Sequence, residues 1–237
     1  MSRWAPYLGL AIPALLAITP FNIVAFSWGF HHENQPMPHG LALKSQKIDR
    51  YAPYLKDGLF LLIVLSLAIH YSLPLSQIGL RLNGWQSNLL IGFLAGVLQA
   101  GFQRFVWKLL GVQKGYRGDR RLFQASGVQW VTSNLLSVSA EEFWMAFCLV
   151  TLGQTGHSTV TSVFLTAAVF GAAHFQYRLG ALATGLYGAV FASLFLWRGS
   201  LLPSYLMHYI GNVSALYWAR RAATLSASRS DVPTLSP

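Results

Sequence analysis

Acid is what this sequence has least of. Seven Asp and Glu stand against seventeen Lys and Arg, and charged residues make up only 10% of the 237 positions. Soluble domains carry roughly 25% charged residues, so the chain falls outside that class. Cysteine is limited to Cys148, which excludes a disulfide framework and any Cys-based zinc site. Cys148 lies in an apolar run and reads as a small buried hydrophobe. No internal repeat or low-complexity tract interrupts the body of the chain.

What the sequence does have is apolar length. Hydrophobic residues make up 54% of it and come in long runs instead of alternating with polar faces, which argues for membrane spans. Seven runs can be read, at about 7–30, 58–75, 87–103, 128–152, 159–177, 179–197 and 201–219. The expected fold is therefore all-α, a polytopic integral membrane bundle of about seven transmembrane helices. The runs at 87–103 and 159–177 are short for a bilayer of roughly 30 Å, so their ends are expected to extend into flanking sequence. Trp28, Trp85, Trp107, Trp130, Trp197 and Trp218 lie near proposed ends, where an interfacial aromatic belt places them.

A net charge of +10 raises the question of nucleic acid, but no nucleic-acid fold signature accompanies it. The basic residues cluster beside apolar runs, as topology signals and contacts with anionic headgroups do. Fourteen of the seventeen fall in the first, third and fifth loops and the C-terminal tail. This puts the C-terminus in the cytoplasm and the N-terminus outside. The first run is then a retained span, kinked at Pro13 and Pro20, because a cleaved signal would leave the Lys-rich first loop outside. Residues 104–127 alternate basic, aromatic and aliphatic side chains and read as an amphipathic segment on the cytoplasmic surface. Three regions follow: 1–127 with the first helices and that segment, 128–219 with the core helices, and 220–237 as a disordered tail. A compact chain of this kind fits a bacterial plasma (inner) membrane.

Five of the seven acids, Glu33, Asp49, Asp57, Asp119 and Asp231, are assigned to loops or the tail. Glu141 and Glu142 alone lie inside an apolar run. A carboxylate there costs at least about 2.5–3.5 kcal/mol, which makes both functional candidates by default. Two histidine motifs follow. His174 ends Phe170-Gly171-Ala172-Ala173-His174, and His208 opens His208-Tyr209-Ile210-Gly211-Asn212. His208 and Asn212, at i and i+4, share a helix face. Taken singly, the acids can be a structural pair or a proton site, and each histidine motif can be a helix-packing contact. On three converging helices they suit amide hydrolysis by water: a glutamate moves the proton, and His and Asn side chains donate to the oxyanion. His31, His32, His39, His70 and His157 sit in loops or near helix ends and carry little weight.

Glu-Glu in one span, Phe-x-x-x-His in the next and His-x-x-x-Asn in a later one resemble the CPBP intramembrane proteases. That family includes type II CAAX prenyl endopeptidases and proteins of bacteriocin processing or immunity. The likeness covers about residues 128–219, with lesser echoes at Ile78-Gly79-Leu80-Arg81 and Gly199-Ser200-Leu201-Leu202-Pro203. The resemblance implies a membrane-embedded endopeptidase in which Glu141 is the acid/base. It makes His174 the partner of Glu141, gives the oxyanion site to His208 and Asn212, and leaves Glu142 and Phe170 in support. Two His and a Glu can in principle bind zinc. The resemblance favours a metal-free mechanism, so no metal or other cofactor is expected. It also implies a membrane-associated protein or lipidated peptide as substrate.

One position departs from the pattern. The family's first motif is Glu-Glu-x-x-x-Arg, and Ala146 stands at the Arg position. Glu142 is then expected to be protonated or paired with a basic residue of another helix. Ala146 also supports a catalytically silent relative with an immunity or scaffold role. A proton-coupled transporter is a third reading, with no repeat or paired half-helices to favour it. Helix ends pose a further requirement. For His174 and His208 to meet, the fifth helix has to run past residue 177 or the seventh has to start before 201.

Overall fold

The structure, a computed structural model, describes residues 4–17, 39–81, 83–110, 127–174 and 179–230. Among them all regular structure is helical: α1 (Ala5–Ala17), α2 (His39–His70), α3 (Trp85–Leu110), α4 (Gly127–Gln154), α5 (Thr159–Ala173), α6 (Leu179–Arg198) and α7 (Leu201–Ser230). Three of these, over Trp85–Val106, Gly127–Gln154 and Gly180–Arg198, are long and apolar enough to cross a membrane. The chain is an integral membrane protein of helical type. The sequence stretch 111–126, most of the expected amphipathic segment, lies outside the described residues, as do Pro20 and Trp28.

Helix α4 is the hub. It packs against α1, α2, α5, α6 and α7, and its run Trp144–Leu149 is buried throughout. An α-helix satisfies its own backbone groups, so an apolar sequence needs only side-chain packing to hold it at the centre. Trp144 reaches α1, where its indole N–H donates to the Gly9 carbonyl at 2.8 Å. Cys148 is fully buried in the same cluster, as its apolar setting implied.

Small residues decide how close the other helices come. A Cβ on Gly92 of α3 would lie 2.8 Å from the Pro203 backbone of α7, and one on Gly96 would lie 2.8 Å from Ile210. Farther along, the Arg104 guanidinium sits 3.8 Å from the Trp218 ring centroid. These three contacts advance together, so α3 and α7 run parallel, in the close packing that a Gly-x-x-x-Gly stripe permits. Helices α5 and α6 meet in the same way at Gly171 and Gly185, running antiparallel.

The two lesser motifs meet at the start of α7. Gly79 adopts φ +88°, a backbone conformation that L side chains avoid. Its carbonyl accepts the Leu201 N–H at 3.0 Å, satisfying one of the unpaired donors at that helix start. A Cβ on Gly79 would lie 2.7 Å from the Leu201 nitrogen, so only glycine fits. Arg198 at the end of α6 donates to Asn88 Oδ1 (2.8 Å) and Ser87 Oγ (3.1 Å) of α3. These links set the depth at which α7 enters the bundle.

Several helix ends differ from the sequence reading. Helix α2 begins at His39, so the Lys-rich first loop is helical from there on, and Asp57 lies inside a helix. Leu, Ala, Lys and Gln form helix well, and a hydropathy threshold sees only the apolar half. Helix α7 continues through Ser230, eleven residues into the expected disordered tail, on an Ala- and Arg-rich stretch. Helix α5 is the opposite case. It stops at Ala173, and its fifteen residues span about 22 Å, short of a bilayer's roughly 30 Å.

Candidate active site

The site begins as a polar stripe on α4. Asn134, Ser137 and Glu141 are spaced three and four apart, hence on one face. The Ser137 hydroxyl donates to Glu141 Oε1 at 3.2 Å. Glu142, about 100° further round the helix, turns into the core. The difference in setting is large: the Glu141 side chain is 18% exposed and that of Glu142 1%.

Helix α7 brings His208 to both. Its Nδ1 lies 2.9 Å from Glu142 Oε1, and its Nε2 lies 3.5 Å from Glu141 Oε2. A ring nitrogen that close to a carboxylate carries the proton, so we assign Nδ1–H as donor to Glu142. Nε2 is thereby turned toward Glu141. Two aromatic rings hold the imidazole in place. Phe191 of α6 stacks on it with centroids 4.6 Å apart and planes 16° apart. Phe170 of α5 meets it edge-on at 5.8 Å and 85°.

The remaining expected residues join less directly. His174 is the C-cap of α5, and its Nδ1 lies 2.7 Å from the Phe170 carbonyl, to which it donates. Its ring lies 4.7 Å from that of Phe170. Phe170 thus stands between the two histidines. Neither helix-end adjustment expected from the sequence occurs, since α5 ends at Ala173 and α7 starts at Leu201. The shortness of α5 ends it at the Phe170 ring instead. Asn212, one turn beyond His208, donates from Nδ2 to Asn134 Oδ1 at 3.1 Å.

Ala146 is 1% exposed and packed among the apolar side chains of α4 and its neighbours. The basic group that pairs with Glu142 comes from another helix, and it is His208. Glu142 Oε2 is buried with no hydrogen-bond partner among the described residues. Among those residues no three His, Cys, Asp or Glu side chains are grouped to hold a metal ion.

Sequence reasoning passed over three contributors and one buried acid. Ser137 and Asn134 were legible as the i−4 and i−7 positions from Glu141, a polar stripe in an apolar run. Phe191 carries no signal beyond hydrophobicity. Asp57, assigned to a loop, is 5% exposed and lies on α2, which packs against α4. Its nearest cation is Lys56, whose Nζ is 3.2 Å from Asp57 Oδ1.

Residues 123–214 match the family model described as Rce1-like, Type II CAAX prenyl endopeptidase. Over those residues the chain is similar to that family. The match runs from just before α4 to residue 214 in α7, and it takes in the two glutamates, both histidine motifs and Phe191. Asp57 lies outside it. No curated protein and no solved structure matches the chain.

Proposed function

We propose that this chain is a CPBP-family intramembrane, glutamate-dependent endopeptidase. It hydrolyses a peptide bond near the membrane-associated end of a protein or lipidated peptide. The observation that carries the reading is that one histidine faces two adjacent glutamates in unlike settings. Glu142, buried, holds the ring; Glu141, partly exposed, faces its other nitrogen and is open to water.

In the mechanism these contacts support, Glu141 takes a proton from water as the water attacks the scissile carbonyl. It then returns that proton to the leaving amine. His174 has its Nδ1 proton committed to the Phe170 carbonyl, so Nε2 of the neutral ring accepts from the attacking water. Asn212 uses one Nδ2 hydrogen on Asn134 and has a second for the oxyanion. Asn134 Nδ2, buried and without a partner among the described residues, is a further donor beside it.

The topology we propose has about seven spans, the N-terminus outside and the C-terminus cytoplasmic in a bacterial plasma membrane. The parallel run of α3 and α7 supports it, because it brings Arg104 and Arg221 to the same end, around Trp218. Anionic headgroups are the partners for that end. Ala146 favours a second reading, a catalytically silent relative with an immunity or scaffold role. Three strains separate the two: null, complemented with wild type, and complemented with Glu141→Ala, their membrane and secreted proteins profiled for altered termini. Uncut species in both the null and the Glu141→Ala strain are expected. Uncut species in the null alone would mean that the protein matters and its glutamate chemistry does not.

A further inference from the structure

Helix α1 reaches the site through one indole. Pro13 has no N–H, so the carbonyl four residues earlier, that of Gly9, is left without its donor inside α1. A carbonyl unpaired among apolar groups is costly, and within a membrane no water serves it. Trp144 of α4 supplies the missing donor, its buried Nε1–H group 2.8 Å from the Gly9 oxygen. Glycine lets the two helices come that close: a Cβ at residue 9 would lie 2.8 Å from the Phe147 ring and 3.1 Å from Cys148 Sγ. An indole has a single N–H, so a bond to it fixes the plane of the ring as well as its place.

From there the contacts are aromatic. The Trp144 ring, 1% exposed, stacks on Phe170 with centroids 6.3 Å apart and planes 19° apart. Phe170 lies 4.7 Å from the His174 ring and meets the His208 ring edge-on at 5.8 Å. A helix outside the matched residues 123–214 is thereby linked, through two rings, to both histidines. We propose that Trp144 is a positioning residue for His174 and His208, acting through the Phe170 ring, and that the Gly9 carbonyl sets it. A phenylalanine ring turns unless a neighbour fixes its plane, and the anchored indole is such a neighbour. Hydrolysis needs His174 on the attacking water and His208 against both acids. An unanchored indole loosens that geometry while leaving the peptide's own contacts in place, so the effect falls on kcat.

This inference rests on the endopeptidase reading for its catalytic meaning, but the link is measurable without turnover. Nitrogen-15 spectra of the indole and imidazole groups would be recorded in lipid nanodiscs for wild type, Trp144→Phe, Pro13→Ala and Phe147→Leu. His174→Gln and His208→Gln assign the imidazole signals. Trp144→Phe keeps a ring, removes the donor, and should move the signals of both histidines. Pro13→Ala gives α1 a competing N–H for the Gly9 carbonyl and should shift the Trp144 indole signal. Histidine signals indifferent to Trp144→Phe overturn the proposal, and an indole signal indifferent to Pro13→Ala overturns the part given to α1. Cleavage of a fluorogenic peptide carrying a prenylated cysteine near its C-terminus supplies the second arm, with rates taken per folded protein. Trp144→Phe should lower kcat roughly three- to tenfold, the value of one hydrogen bond, with KM little changed. Phe147→Leu disturbs the packing of α4 against α1 without removing the indole donor, so it should lower stability and leave kcat as it is. Equal losses of kcat in these two variants would reduce Trp144 to packing and overturn the proposal. Should Trp144→Phe fail to fold, Pro13→Ala carries the same test: a smaller fall in kcat is expected, and an unchanged kcat overturns the proposal. Histidine signals that move in a protein that cleaves nothing would uphold the positioning and remove the endopeptidase reading alone.

Discussion

Glu141 and Glu142 are neighbours in sequence and opposites in setting. Glu142 lies at the bottom of the site, 1% exposed, paired with a histidine that Phe191 stacks on and Phe170 meets edge-on. Glu141 lies at its mouth, 18% exposed, against the Ser137 hydroxyl and facing His208 Nε2. A carboxylate sealed among aromatic rings can hold a charge in place but cannot meet water. One bordered by hydroxyl, imidazole and solvent can exchange protons. The buried half is therefore scaffold for the exposed half, and the two respond differently to substitution.

The largest expected effect is on the buried half. His208→Ala removes the only partner that Glu142 has among the described residues and leaves an uncompensated carboxylate in an apolar setting. Loss of one member of a buried pair costs about 3–5 kcal/mol. Reversible denaturant unfolding in mixed micelles should show that loss, and retention of wild-type stability would mean that the pair bears no structural weight. A smaller effect sharpens the same point. Phe191→Leu keeps the volume roughly and loses the stack on His208, so stability should fall by less than about 1.5 kcal/mol. Peptide cleavage should fall by a larger factor than that loss of folded protein explains. If activity followed folded fraction alone, the ring would be packing and nothing more.

Much of this was legible in the sequence. Long runs with few charges read as spans, three of the described helices are long and apolar enough to cross a membrane, and two acids in the middle of one are costly. Glu141, Glu142, His208 and Phe170 are found together, and the pattern that carries them matches the family over 123–214. The pairing was harder to read. His174 was expected as the partner of Glu141, and His208 also reaches that acid, its Nε2 3.5 Å from Glu141 Oε2; which ring reaches which acid depends on helix tilt and on where α5 ends. No periodicity in a single helix reports either. Asp57 was missed for a different reason. It sits one residue before the apolar run at 58, where hydropathy marks a boundary and the helix does not. Ala146 suggested a missing counter-charge, and the structure supplies a partner from α7, His208, which no motif within α4 encodes.

The most direct test sets the two glutamates side by side. Glu141→Gln and Glu142→Gln proteins would be purified, matched for folded fraction, and assayed on the prenylated fluorogenic peptide. A general acid/base at Glu141 requires that Glu141→Gln lose at least about a hundredfold in kcat. Glu142→Gln should retain measurable turnover with lowered stability. Turnover at the wild-type rate by Glu141→Gln would contradict it.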